Sequence, residues 1–590
     1  MAKSRIIFES ALILVLGGAV LGSTLAISKR NSDYAFFDEL IEIKQIISSR
    51  YVENPDEKAL REGAIKGMVD ALNDPYTVYV PPADKSSFNK DLTGEYVGIG
   101  ATVNTQDGWL TIVSPLEDSP AFKAGLMPAD RIVEISGTST ENLSVDKCVD
   151  LLMGTAGTTL MLTVERQGER FPLEITREQI KTRSVKGFHR DPASPMTWQH
   201  LIDHSRGIGY IRLTQFTPKC SNEVLAALQA MGAGEGKLKG LVLDVRGNPG
   251  GLLSEAENIA DFFLKDGIIV STRGRAFQEK VTRAKEPGTL PDFPIALIIN
   301  GQSASASEVL AGALVENSRG ITVGSRTYGK GSVQVVLELP SGNGSELKLT
   351  EQGYFLPSGR SLSRKDDTPT WGVDPTEGFY VPVTDDQLVA MFEVRRREEA
   401  LVNREAAAKN NKVAPAPKTD SKEPAKPIDW ANVDSVLEGL KDPQLAAAVR
   451  AVQHKVEKGE WIPTGQKGIE TGSIATAELT QLRLFHERLE RELIRTEKRM
   501  IAIEDAVPVA KNAPKPDLWA DTIDLKGGNL EVKDKDGKVV ATLQITGNDL
   551  ERWLLDADVK KPEDAKPAQT SPTADAKTDT RTDQPKPDPK

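Results

Sequence analysis

Pro294-Ile-Ala-Leu-Ile-Ile-Asn-Gly-Gln-Ser-Ala-Ser-Ala-Ser-Glu308 and, further along, Tyr328-Gly-Lys-Gly-Ser-Val-Gln334 are the stretches from which the rest of the chain reads. Ile295 to Ile299 is a short apolar run rich in branched residues, the pattern of a buried strand. Asn300-Gly301 breaks it, and Ser303 to Leu314 turns to small residues and helix formers, so a strand runs directly into a helix. A serine at such a helix start has free backbone N–H groups and the positive end of the helix dipole beside it. That suits a nucleophile whose attack creates an oxyanion. The plainer reading of Ser305-Ala-Ser-Glu308 is a capping box, S-x-x-E, with the serine as a cap only.

The second stretch shifts the balance. Lys330 stands between two glycines, which let the backbone pass close to another element, and Gln334 opens the strand Val333 to Leu339. Positions 330 and 334 share a strand face if the strand begins early enough. A lysine amine held in a dry pocket loses its proton more readily and serves as a general base, with a glutamine carbonyl to orient it. Serine with a lysine base is an alternative to serine with histidine. A histidine base is the competing mechanism, but none of the five histidines lies in a recognisable motif.

Both stretches resemble the signatures of the C-terminal processing peptidases, or tail-specific proteases, a family of PDZ-containing serine proteases. Lys330 follows Ser305 by 25 residues, the usual separation in that family, and the likeness spans roughly residues 35 to 380. The resemblance implies that Ser305 is the nucleophile, Lys330 the general base and Gln334 the residue that positions the lysine. It also implies a crotonase-like α/β protease core. Leu241-Val-Leu-Asp-Val245 is an apolar strand ending in Arg246-Gly-Asn-Pro-Gly-Gly251, and glycines there free backbone N–H groups of side-chain cover. This is similar to the family's oxyanion-hole loop. Gly250 or Gly251, with the N–H of Ala306, is therefore expected to bind the oxyanion; a plain tight turn is the simpler reading. Asp244 and Arg246 are placed to form an ion pair that shapes the loop. Tyr328 replaces a common phenylalanine, and Val373-Asp374-Pro375 reverses the family's usual proline–aspartate order.

Residues 94–180 resemble a PDZ domain. Tyr96-Val-Gly-Ile-Gly-Ala101 matches a carboxylate-binding loop, and Ala124-Gly-Leu-Met-Pro-Ala-Asp-Arg-Ile132 is the accompanying strand-turn segment. Backbone N–H groups near Gly98 to Gly100 would hold a terminal carboxylate while the peptide adds a strand. Val97, Gly98, Ile99, Gly100, Val149 and Leu152 are the expected peptide-binding residues, with Val145, Cys148, Val149 and Leu152 on one helix face. Arg166, at a turn, reads by default as a surface residue.

The domain organisation expected is multidomain α/β. Residues 1–30 form a signal peptide or membrane anchor: Lys3 and Arg5 precede an apolar run, Ala11 to Ile27, and Thr24-Leu25-Ala26 offers a cleavage site. Residues 31–93 read as a helical N-terminal domain, and the resemblance implies that it joins protomers into a homo-oligomer. Residues 181–385 are the protease core, 386–427 a helix and linker, 428–555 a helical extension with a hairpin turning at Asp536-Gly537, and 556–590 a disordered tail. Leu482, Phe485, Leu489 and Leu493 suggest a coiled-coil helix within the extension.

The net charge of −11 argues against nucleic acid as a partner. The two cysteines, Cys148 and Cys220, fall in different expected domains, so a disulfide between them is disfavoured. His200 and His204, at i and i+4, lack a neighbouring glutamate or third ligand, so no metal and no cofactor is expected. The expectation is an exported serine endopeptidase of the periplasm or cell envelope, held by the inner membrane if its leader is uncleaved. It would recognise apolar C-terminal tails of exported proteins through the PDZ domain. The alternative from another class is a catalytically silent PDZ scaffold of the envelope, which has no need of Ser305, Lys330 and Gln334 together.

Overall fold

The computed structural model describes residues 35–467 except 192–193, 343, 366–369, 404–405 and 408–426, and beyond 467 only positions 486, 493 and 538 and the strands below. The leader at 1–30, the linker residues 408–426, nearly all of the 482–493 helix and the tail apart from Val559–Lys560 lie outside the described residues, and those two residues are a strand where 556–590 was expected to be disordered. Residues Met1–Thr471 form one compact unit and Gly472–Lys590 another. In the second unit Asn529–Lys533 pairs antiparallel with Val539–Ile545, the hairpin expected, and Val559–Lys560 adds a third strand.

Four parallel strands, Ile208–Leu213, Gly240–Asp244, Ile295–Ile299 and Ile321–Gly324, lie side by side in that order at the centre of the first unit. Parallel strands need crossover connections, so each is followed by chain that leaves the sheet before the next begins. The alternation along each strand assigns two faces. Ile211, Leu213, Leu241, Leu243, Ile295, Leu297 and Ile299 pack with the helices Cys220–Ala230, Leu253–Asp261 and Ala306–Glu316. Ile208, Tyr210, Val242, Ala296, Ile298, Ile321 and Val323 face the other way. Since both faces are apolar, both must be covered.

The cover on the second face comes from the helices Val433–Leu440 and Pro443–Lys458, through Val436, Leu437, Leu440, Leu445, Val449 and Val452. The extension expected to be helical from 428 is therefore helical over 433–458, with a break where Lys441 takes a left-handed conformation and Asp442 caps the next helix. Placing these helices in an extension beyond a core ending at 385 does not hold. They are half of the core's cladding, and their apolar stripes have the sheet as partner.

A second sheet carries Ser332–Glu338, Glu346–Phe355, Ile268–Gly274 and Phe277–Arg283. Val78–Val80 joins it antiparallel to the Glu346 end of its long strand. The N-terminal region is thus not wholly helical as expected: helices at 35–50, Glu57–Asp70 and Lys85–Thr93 are interrupted by this strand. The cause is local. Asp74 accepts the Tyr76 N–H at 3.0 Å and the Thr77 hydroxyl at 2.6 Å, turning the chain onto the sheet edge.

The PDZ sheet orders Ala101–Gln106, Trp109–Pro115, Arg131–Ile135, Thr159–Arg166 and Glu169–Thr176. Arg166 is buried, not at the surface: its Nε and Nη2 meet the two oxygens of Asp130 at 2.7 Å each, and Nη2 also donates to the Gly125 carbonyl. Cys148 and Cys220 are both free and buried.

Candidate active site

Ser305 sits between the strand Ile295–Ile299 and the helix Ala306–Glu316, as the strand-into-helix pattern implied. Its backbone sets it apart from an ordinary cap. The serine and threonine caps at Ser119, Ser144 and Thr384 all lie in the extended region, with φ from −64° to −77°. Ser305 has φ 57° and ψ −115°, a strained conformation for a residue with a Cβ. Such strain gathers at functional sites and persists only where the surroundings enforce it.

Glu308 does the enforcing. This fully buried carboxylate accepts the Ser305 N–H at 2.7 Å, the Lys330 N–H at 2.9 Å, the Gly329 N–H at 2.7 Å and the Thr327 hydroxyl at 2.6 Å. The sequence reading saw Glu308 only as the third residue of a capping box. In the structure it ties the backbone of the serine turn to that of the lysine turn.

The glycines beside Lys330 do what their size allows. A Cβ at Gly329 would lie 2.5 Å from the Trp371 ring, and one at Gly331 would lie 2.4 Å from the Ser363 nitrogen. The strand begins only at Ser332, with a register shift between Val333 and Gln334, so Lys330 and Gln334 do not share a regular strand face. Among the described residues the Lys330 amine has no hydrogen-bond partner. It lies 4.8 Å from the centre of the Tyr76 ring, whose hydroxyl is beside that of Tyr328. Burial, and then the charge of Lys348, push its pKa down to about 8 against the opposing pull of Glu308 and Asp74. Gln334 directs its amide nitrogen to Ser332 (2.8 Å) and Thr350 (3.1 Å), not to the lysine. The expected Gln334–Lys330 contact is therefore absent from this arrangement, because the amine is turned onto Tyr76. Tyr354, buried on the strand Glu346–Phe355, has its hydroxyl beside the Ser305 side chain.

The Arg246–Gly251 loop packs against the serine. A Cβ on Gly250 would fall 2.8 Å from the Ser305 Cβ, so only glycine fits there. The Gly250 N–H is already given to Asn248 Oδ1 at 2.9 Å, which removes Gly250 as an oxyanion donor; its part is the close approach. The N–H groups of Gly251 and Ala306 have no partner among the described residues. The Asp244–Arg246 pair expected from the sequence forms at 2.7 Å.

In the PDZ domain, Ala101–Gln106 is an edge strand with the helix Val145–Leu152 alongside. Val97 and Gly98 belong to a strand paired with Glu178–Lys181, which commits that segment to the domain's own structure. Ile99 and Gly100 follow it, and their N–H groups have no partner among the described residues. Leu152 is buried in the PDZ core with Ile99, whereas Val149 is half-exposed on the helix. His200 and His204 are not on a helix at all: they flank the strand Leu201–Asp203. Among the described residues no three His, Cys, Asp or Glu side chains converge as metal ligands.

Comparison with known proteins agrees with this architecture. Residues 24–83 match the activating protease CtpB N-terminal domain, residues 85–165 a PDZ domain and residues 207–377 peptidase family S41. The chain is 36% identical over 375 residues to the carboxy-terminal-processing protease of Bartonella bacilliformis, which spans 62% of this chain and 82% of that one. It is 35% identical over 350 residues to the carboxy-terminal processing protease CtpB of Bacillus subtilis, covering 58% and 68% respectively. An S41 peptidase domain joined to a PDZ domain defines a serine peptidase. The chain belongs to the carboxy-terminal processing proteases of peptidase family S41, and its substrates are proteins.

Proposed function

We propose that the enzyme cleaves proteins after capturing their C-terminal tails, with Ser305 as nucleophile and Lys330 as general base. The observation that carries this reading is the pairing of a strained serine with a desolvated amine through one buried carboxylate, Glu308. With a pKa near 8, a substantial fraction of Lys330 is neutral at mildly alkaline pH and able to take the serine proton. The present geometry is a resting one. For catalysis the amine leaves the Tyr76 ring and turns towards Ser305. Both donors of the Gln334 amide are held by Ser332 and Thr350, so its carbonyl oxygen is the end left to receive the lysine. The N–H groups of Gly251 and Ala306 receive the oxyanion.

Tail capture falls to the free edge of Ala101–Gln106, with Ile99 and Gly100 donating to the terminal carboxylate and Val149 meeting the last side chain. The Met1–Arg30 pattern supports export to the envelope. The apolar face of the 35–50 helix, where Phe36, Leu40 and Ile43 are exposed, supports pairing with a second copy. The test is cleavage of a protein ending in small apolar residues by wild type, Ser305→Ala and Lys330→Ala. Both variants should lose activity almost completely, since nucleophile and base act as a unit. Wild-type rates in either would overturn the assignment.

A further inference from the structure

Arg246 begins the loop that carries Gly250 and Gly251, and its guanidinium is held from two sides. From its own strand, Asp244 accepts Nε at 2.9 Å and Nη2 at 2.7 Å, and also the Arg246 backbone N–H at 3.0 Å. From far along the chain, Asp442 accepts Nη1 at 2.8 Å and Nη2 at 2.6 Å, and Gln444 Oε1 accepts Nη1 at 3.1 Å. Arg395 donates to both carboxylates, at 3.3 and 3.2 Å, and the Tyr210 hydroxyl donates to Asp244 at 2.8 Å. Asp244, Asp442 and Arg246 are all buried. Burial alone would raise both carboxyl groups, but Arg246 and Arg395 hold them below the usual carboxylate range, so two anions face two cations.

A buried ion cluster of this kind is weak evidence for stability, because apolar packing often serves as well. What it does provide is a fixed position, and the loop passes that position on. The Gly247 N–H donates to Asn300 Oδ1 at 3.1 Å. The Asn248 carbonyl accepts the Ala304 N–H and the Ser307 hydroxyl, both at 3.0 Å, and the Asn248 amide reaches the Leu213 carbonyl at 2.9 Å. Asp442 is thus linked by hydrogen bonds to Arg246, by the short run of chain to Asn248, and from Asn248 by hydrogen bonds to Ala304 and Ser307 on either side of Ser305. Asp442 is itself fixed as the cap of Pro443–Lys458, accepting the Leu445 N–H at 3.0 Å.

We propose that Asp442, supported by Gln444, is a positioning residue for the peptidase reaction: it holds Arg246 so that the 246–251 loop presents the Gly251 N–H to the oxyanion. This places an essential contact 65 residues beyond the end of the S41 match, at 377. It rests on the oxyanion assignment of the preceding subsection.

Asp442→Asn tests it, since asparagine caps a helix as well as aspartate but carries no charge. On a short peptide reporter kcat should fall about tenfold or more, with KM changed less than about twofold, as for an interaction felt in the transition state. Affinity for a peptide boronic acid, whose serine adduct places an oxygen in the oxyanion hole, should fall by a similar factor. A residue that only stabilised the fold would lower Tm and leave both quantities unchanged per active site. Active sites are counted by fluorophosphonate labelling. If wild type is not labelled at Ser305, the serine reading falls and this proposal with it. If wild type is labelled and Asp442→Asn keeps its kcat and boronate affinity, only the positioning role is overturned. Should Asp442→Asn fail to fold, Gln444→Ala, which removes one contact to Arg246, decides by the same two quantities, kcat and boronate affinity. A smaller loss in both supports the role, and no change overturns it.

Discussion

Ser305 and Lys330 are joined less by their side chains than by Glu308, whose two oxygens hold four donors from the two turns. Glu308→Gln would set an amide NH2 against two of those donors. Each buried donor left without an acceptor costs about 1–3 kcal/mol, so with two such donors the variant should lose roughly 2–6 kcal/mol of stability and most of its activity. Denaturant unfolding and turnover of a peptide reporter check this; an unchanged midpoint with full activity would show that the carboxylate is incidental. The lysine shift has a sign that separates chemistry from stability. Its pKa is lowered on folding, from the ordinary 10.5 to about 8, so the unfolded chain holds the proton more tightly. Between those values the fold gains stability as pH rises, and a rising activity limb near 8 is not a melting artefact. The turns that carry Ser305 and Lys330 were legible in the sequence because each stands in a compact local pattern; the direction of the Gln334 side chain, set by Ser332 and Thr350, was not. Tyr76, against the lysine, and Asp442, against Arg246, were not, since they come from distant segments with no local signature.

The helix pair at 433–458 shows what a helical reading conveys and what it omits. The extension was expected to be helical, but nothing in its sequence named the surface it covers. That surface is the alternate face of the parallel strands, whose near-continuous apolar runs required cladding on both sides. Gly240 tests the contact, because a Cβ there would lie 2.4 Å from Val452 Cγ1. Gly240→Ala should overpack the interface and lower stability by about 1–3 kcal/mol. Gly234→Ala, where the added methyl meets nothing within 4 Å, is the control. Equal melting temperatures for the two variants would mean that the helix does not press on the sheet there. The strand Val78–Val80 escaped the sequence reading for a related reason: three residues at a sheet edge carry little pattern, and their pairing partner lies at 346–348.

At the scale of the whole molecule, the N-terminal region, the PDZ domain and the protease core meet in one compact unit, so the proposed tail capture and cleavage would take place on one body. Capture should depend on the terminal carboxylate and on an apolar last residue. One protein substrate prepared with a native, an amidated and an Asp-Asp-extended tail should therefore be cleaved progressively less well in the latter two, mainly through KM, because unpaired charge in an apolar groove is costly to bury. Equal rates for all three tails would leave a general protease. The account as a whole stands on a serine activated by a desolvated lysine, and the direct measurement is the rate of fluorophosphonate labelling at Ser305 across pH 6 to 9.5. The rate should rise through a midpoint close to pH 8 and all but vanish in Lys330→Ala; a rate flat across that range, or undiminished without the lysine, would contradict it.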